Sequence, residues 1–269
     1  MAWDEELFAR IGDRYDQVFS GEVARTDVQV DFAVRACALR PGQRVLDLCC
    51  GPGRHAVALA LRGLAVTAVD RNPHFLALGR DRARASGTGV QWVQSDARHL
   101  PRLGPFHAAI CLFASWGYAR DPAQDALILA GVAQRLQPGG RFLLDIPNLQ
   151  WLLAHPRGTA FSVTGGLGVR ESRRFDPETR ELAALWYVHP PDRTPWRTEV
   201  RYRVYGLEEV EWMLARAGLV LEAAYGDFDG TPLTSEQPRC LALARRPVLP
   251  ALPGRTAQGG ASAGIGAPR

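Results

Sequence analysis

The 269-residue chain contains no lysine: all 32 of its lysine-plus-arginine positions are arginine. The formal net charge is only +4, and the arginines are interleaved with acids, as in Arg80-Asp81-Arg82 and Arg170-Glu171-Ser172-Arg173-Arg174. Mixing of that kind describes a solvated surface, and no basic face is laid out for a nucleic-acid backbone. Long apolar runs are missing too. The longest, around His55–Val69, is broken by Arg62-Gly63 and falls short of the roughly 18–20 residues that span a bilayer. The acidic start, Met1-Ala2-Trp3-Asp4-Glu5-Glu6, lacks the basic-then-apolar pattern of a secretory signal, so a cytoplasmic protein without membrane contact is expected. Cysteine is scarce and odd in number (Cys37, Cys49, Cys50, Cys111, Cys240), with no C-x-x-C pair and no histidine at ligand spacing. That argues against a disulfide framework, and no metal is expected.

What is present is an alternation of strand and helix patterns. Arg44–Cys50 is a short buried-strand pattern, followed by Gly51-Pro52-Gly53 and an Ala/Leu-rich helix to Leu61. Ala65–Asp70 is a second strand, and Asn72-Pro73 opens the next helix, with proline in its first turn. Val90–Asp96 and Phe106–Phe113 follow as strands. Between Asp121 and Leu136 a helix places Leu129, Val132, Ala133 and Leu136 on one face; Pro138-Gly139-Gly140 is expected to stop it ahead of a fifth strand at Arg141–Ile146. Such alternation means an α/β domain with a mainly parallel sheet. After Pro147 the rhythm becomes two-residue, clearest at Val200–Tyr205, with Gly165-Gly166, Asp176-Pro177 and Pro190-Pro191 as separators. Two or three antiparallel strands are expected there. A helix at Leu207–Ala217 and strands at Leu219–Phe228 and Cys240–Arg245 complete the pattern, and the Pro/Gly/Ala-rich stretch from Pro247 reads as a disordered tail.

Three local features carry chemistry. The turn Asp47-Leu48-Cys49-Cys50-Gly51-Pro52-Gly53 runs straight from strand to helix. Its glycines let a ligand approach the backbone, and the helix N-terminus offers free N–H groups. Taken alone it also fits the dinucleotide pattern G-x-G-x-x-G/A. Asp70 ends the second strand, 17 residues after Gly53, where a carboxylate can accept ribose hydroxyls or simply cap the helix that follows. Asp96 with Ala97 ends the third strand, and Leu136-Gln137-Pro138-Gly139-Gly140 precedes the fifth.

In combination and order these stretches resemble the class I S-adenosylmethionine-dependent methyltransferases, over about residues 40–148 and, through the returning helix and last two strands, to about 246. The resemblance implies a Rossmann-like α/β sheet of seven strands, mainly parallel with the last antiparallel, and an antiparallel β insertion before the sixth. It implies S-adenosylmethionine as cofactor: Asp47, Cys49, Gly51 and Gly53 shaping the loop, Asp70 holding the ribose with Arg71 beside it, Asp96 and Ala97 at the adenine, and Leu112 at the exit of the fourth strand. Cys49 replaces the family's usual first loop glycine, and Pro52 its commoner threonine. A finer likeness, to small-molecule and peptide N-methyltransferases, rests on Tyr15–Phe19, Phe113–Tyr118 and the insert. It makes 1–40 a helical lid, 41–148 the cofactor-binding core, 149–205 a substrate cap or dimer-forming insertion, 206–246 the rest of the core and 247–269 the tail. Tyr15, Trp116 and Tyr118 are then candidates for the catalytic surroundings, and Ser115, Trp116 and Tyr118 for a small-molecule or peptide acceptor; no residue stands out as a base. A dehydrogenase using NAD(P) and a non-catalytic binding subunit remain alternative readings.

Overall fold

The computed structural model describes residues 3–248, so all but the first two residues of the expected tail lie outside the described part. Four N-terminal helices, α1 (Trp3–Ile11), α2 (Tyr15–Val18), α3 (Ser20–Ala24) and α4 (Thr26–Ala36), lead into an alternating segment: β1 (Arg44–Leu48), α5 (Arg54–Leu61), β2 (Ala65–Asp70), α6 (Pro73–Ala85), β3 (Val90–Gln94), β4 (Phe106–Cys111), α7 (Pro122–Arg135) and β5 (Leu136–Pro147). A short helix α8 (Leu149–Ala154) and strands β6 (Arg157–Thr164), β7 (Leu167–Asp176), β8 (Glu181–His189) and β9 (Trp196–Arg203) follow. Helix α9 (Leu207–Arg216), β10 (Val220–Tyr225) and β11 (Arg239–Arg245) complete the chain.

The main sheet has the order β10-β11-β5-β4-β1-β2-β3, parallel except for β11, which runs against both its neighbours. Strand order reverses between β1 and β4. At such a switch point the chain leaves a crevice beyond the carboxyl ends of the strands, where α/β sheets bind ligands. Both faces of the sheet are covered, so the central strands are apolar almost throughout. Leu46, Leu48, Phe106 and Ala109 face α7 and α9, while Val45, Ala108 and Ile110 face α4 and α5. Helix starts follow local chemistry: Asn72 accepts from the N–H of His74 and Phe75, and Asp121 from that of Ala123, each with proline next in the chain. No described helix is long and apolar enough to cross a membrane.

Three expectations need correction. Pro138-Gly139-Gly140 does not lie between helix and strand: α7 ends at Arg135 and β5 begins at Leu136. Phe106 pairs with Leu136 but Ala108 with Arg141, so the motif is an excursion inside β5 that lets it turn round the start of β4. The insert has four strands and forms a sheet of its own, β6-β7-β8-β9. Its first strand was hidden because as an edge strand it is exposed along most of its length and carries little alternation. Helix α8 was not expected either. The N-terminal helices lie between the two sheets, with Leu7, Ile11, Tyr15 and Val18 packed against Phe75 on one side and Val169, Ala184, Val188 and Val200 on the other.

Two glycines have a packing reason. The Trp92 indole on β3 fills the gap between Gly53 and Gly79, where an added Cβ would come within 2.3 Å and 2.5 Å of it. Alanine at mid-helix position 79 gains about 1 kcal/mol of helix propensity but overpacks the site by about 1–3 kcal/mol. Gly79→Ala should therefore lower the melting temperature; a rise would show that the indole moves freely aside.

Candidate functional site

The loop between β1 and α5 is held in an unusual backbone conformation. Cys49, Gly51 and Gly53 have φ of +56°, +53° and +74°, the left-handed region that disfavours a side chain. Cys50 N–H donates to the Val69 carbonyl at 3.0 Å, hooking the loop to β2. Asp70, the last residue of β2, completes the clamp: Oδ2 accepts from Gly51 N–H and Oδ1 from Asn72 N–H, both at 2.8 Å. Burial raises the pKa of this half-buried carboxyl, while the N–H groups of Asn72, Gly51 and Arg71 and the Arg71 charge pull it back.

Asp47 is sealed beneath the loop, 1% exposed. Gly53, at the N-cap of α5, has no side chain to accept a hydrogen bond. Asp47 does so from β1, accepting the N–H of Ala56 in the first turn, while its Oδ2 has no partner among the described residues. Desolvation pushes this carboxyl up to about 7, against the nearby Arg54 charge.

Above the loop, between the main sheet and the second sheet, lies a cavity of about 1240 Å³. Of the thirteen residues singled out in the sequence, it brings nine to its wall: Tyr15, Cys49, Gly51, Asp70, Arg71, Asp96, Ala97, Ser115 and Tyr118. The other four do not reach it. Asp47 and Gly53 shape the loop from behind, Leu112 is buried at the end of β4, and Trp116 is 1% exposed in the main core. Trp116 packs on Tyr205 with ring centroids 4.4 Å apart and donates its Nε1–H to the Asp125 carbonyl at 3.0 Å. Gly117 follows at φ +97°, where a Cβ would meet the Arg203 carbonyl at 2.5 Å, so the loop is pinned against the end of β9 and directs Trp116 inward.

The wall is electrostatically ordered. Tyr15 places its hydroxyl over Gly51 and packs on Phe19 and Phe75. Burial raises its pKa well beyond the ordinary phenol range, against the nearby Arg54 charge, which makes it a poor base. Asp96 is bound by Arg98 through Nε at 2.9 Å, Nη2 at 2.5 Å and the backbone N–H at 2.8 Å, which hold it down to about 2 and fully ionised. The free Cys49 thiol donates a hydrogen bond to the Cys111 sulfur, and this contact together with burial raises its pKa well above the ordinary thiol value.

Sequence reasoning missed a polar network closing one side of the cavity. Arg239 joins Asp145 on β5 (2.5 Å) to Glu22 on α3 (3.1 Å). Gln29 bonds Glu22 at 2.7 Å and receives Arg54 Nη1 and His55 Nε2, while Arg54 also reaches the Glu22 carbonyl and the Thr26 hydroxyl, each at 3.0 Å. Asp145 accepts the Phe113 N–H at 2.7 Å, fixing the exit of β4. Glu22 and Arg239 are 217 positions apart, beyond any local signal. Arg54 carried the one available hint, a charge at the head of an otherwise apolar helix.

Two outcomes follow. The native carboxyl of Asp47, at about 7 against an unfolded 3.8, holds its proton, so its contribution to stability is full below pH 4 and is lost as pH rises through 7. Asp47→Asn, which stays neutral, should gain stability relative to the parent between pH 4 and 8, by roughly 1–3 kcal/mol. Paired denaturation curves check this, and a flat or falling difference would contradict it. Trp116→Ala should lose about 3–5 kcal/mol in the same assay; a loss below about 1 kcal/mol would remove Trp116 from the core.

Comparison with known proteins agrees with this geometry. Residues 45–140 match the family model described as a methyltransferase domain. An uncharacterised methyltransferase of Synechocystis sp. is 40% identical over 125 residues, 44% of this chain and 55% of that protein. The chain thus spans about half the length of that relative. The cypemycin N-terminal methyltransferase of Streptomyces sp. is 27% identical over 217 residues, covering 76% of this chain and 84% of that one. Among solved structures, an S-adenosylmethionine-dependent methyltransferase from Clostridium acetobutylicum shares the fold, with a TM-score of 0.75 at 19% identity over 91% of this chain and 100% of that one. The strand order and the loop clamped beneath the crevice agree with these likenesses: residues 45–140 match a methyltransferase domain, and the chain shares its fold with the S-adenosylmethionine-dependent methyltransferase from Clostridium acetobutylicum.

Proposed function

We propose that this chain transfers a methyl group from S-adenosylmethionine to a small-molecule or peptide acceptor, with an amine nitrogen as the receiving atom. The observation that carries the reading is the Asp70 carboxylate at the switch point. Three of the roughly four acceptor directions of a carboxylate hold the N–H groups of Gly51, Asn72 and, more weakly, Arg71, and the remaining one is left for a ribose hydroxyl. Asp96 fits an adenine amino group in the same way, since Arg98 takes three of its directions. Ala97 and Val69 line the wall beside it as apolar surface for a base. The left-handed turns at Cys49 and Gly51 keep side chains off the loop crest, and Arg71 is the remaining candidate contact on this side.

When bound, S-adenosylmethionine supplies a methyl carbon already made electrophilic by its sulfonium. The chain's own work is alignment and exclusion of water. Tyr15, Phe19 and Phe113 form an apolar wall above the loop, and Ser115 and Tyr118 open toward the second sheet. The cavity exceeds the roughly 300–1,000 Å³ of a single small-ligand site, so acceptor and cofactor fit together. An amine needs only to lose a proton beforehand, whereas a hydroxyl would need a base, and burial makes the Tyr15 phenol a poor one. The likeness to a peptide N-terminal methyltransferase supports nitrogen. A reducing, cytoplasmic setting belongs to the same proposal and is supported by five cysteines, all free.

Calorimetric titration with adenosylhomocysteine and, separately, NADH tests the cofactor. Adenosylhomocysteine should bind and NADH should not, and Asp70→Ala should weaken the former by about 1.5–3 kcal/mol. NADH binding without any response to adenosylhomocysteine would overturn the reading.

A further inference from the structure

The second sheet turns one face to the cavity, and this roof is almost entirely apolar. Along alternate positions of β7, β8 and β9 it presents Val169, Ala184, Trp186, Val200 and Tyr202. One carboxylate interrupts it: Glu171, opposite Ala160 on β6 and Trp186 on β8.

Glu171 differs from every other acid on the described wall. Glu22 is tied to Arg239, Asp70 to backbone N–H groups of Gly51, Asn72 and Arg71, Asp96 to Arg98 and Asp125 to the Tyr205 hydroxyl. Among the described residues Glu171 has neither a hydrogen bond nor an ion pair. Burial raises its pKa, and Arg173 opposes the rise only at a distance. The Arg173 guanidinium lies over the Trp151 ring, 4.7 Å from its centroid, and against Gly158. Beside Glu171, the buried Nε1–H of Trp186 also lacks a partner. An unpaired carboxylate set in an apolar wall is costly for the protein alone, and a ligand carrying the opposite charge removes that cost.

Aromatic faces complete the surroundings. Tyr202 lies 5.7 Å from Tyr118, and Trp186 5.5 Å from Phe19, which continues to Phe113 at 5.1 Å on the main-sheet side. Aromatic faces and a desolvated carboxylate attract the same partner, an organic cation.

We propose that Glu171, with Trp186 beside it and the Tyr118–Tyr202 pair on the same cavity wall, is the subsite that recognises the acceptor, and that it takes an alkylammonium group borne on an apolar body. The proposal rests on the lower half of the cavity being the cofactor's. Glu171 is a binding residue here: it selects amines over alcohols and acids of the same shape and places the nitrogen beneath the roof.

The test uses protein saturated with adenosylhomocysteine at neutral pH, titrated with 2-phenylethylamine, 2-phenylethanol and 3-phenylpropanoate. The amine should bind at least about tenfold tighter than the alcohol, with the acid weakest. Glu171→Gln should weaken the amine by about 10- to 150-fold, the range of a hydrogen bond to a charged group, and leave the alcohol and adenosylhomocysteine unchanged. Glu171→Leu should also lose the amine while melting no lower than the parent, because an unpaired buried charge has been removed. If adenosylhomocysteine itself fails to bind, the cofactor reading falls. If it binds but no amine does, or the amine shows no preference, or Glu171→Gln leaves its affinity unchanged, the subsite is overturned and the cofactor reading stands.

Discussion

The Asp70 carboxylate, gripping Gly51 N–H with one oxygen and Asn72 N–H with the other, is the contact on which the rest of the site depends. It ties the end of β2 to the loop after β1 and to the start of α6, so three elements meet at one side chain. Without that tie the loop would have little reason to hold Cys49 at φ +56°, a conformation that costs a non-glycine residue about 1–3 kcal/mol. With it, the backbone forms a flat crest under the crevice, and Tyr15 closes over Gly51 from the N-terminal segment.

The cavity exists because two sheets are held apart by the N-terminal helices and not packed face to face. Tyr15 and Val18 touch the second sheet on one side and α6 on the other, so a single segment spaces roof from floor. The polar network from Asp145 through Arg239, Glu22 and Gln29 to Arg54 locks that segment to β5, β11 and α5. Removing one member of such a buried network costs about 3–5 kcal/mol, since a charge is then stranded. Floor and roof also differ in chemistry. The floor has committed its acids to backbone and arginine, while the roof holds Glu171 uncommitted.

Much of this was legible locally. Val45–Leu48, Ala65–Asp70 and the Asn72-Pro73 helix start announced themselves because buried strands and capped helices are encoded by neighbours in sequence. Trp116 was placed on the acceptor side because a loop aromatic near a crevice looks available. Its inward turn is set by Gly117 against the Arg203 carbonyl and by stacking on Tyr205, contacts across more than 80 positions. Gly53 was read as an approach for ligand, but the space it leaves belongs to Trp92. The Leu-x-Pro-Gly-Gly motif showed where β5 begins its work but not that it starts within the motif, because that depends on pairing with Phe106. The two-residue rhythm of the insert marked strands without saying which face looks inward, so Glu171 could not be told from its exposed neighbours Arg170 and Ser172.

The most direct measurement is a crystal structure of the protein with adenosylhomocysteine bound. The account predicts that a ribose hydroxyl lies within hydrogen-bond distance of an Asp70 oxygen, and that the bonds from Asp70 to Gly51 and Asn72 are both kept. A ribose bound elsewhere, or an Asp70 that has let go of Gly51 to reach it, would contradict the account.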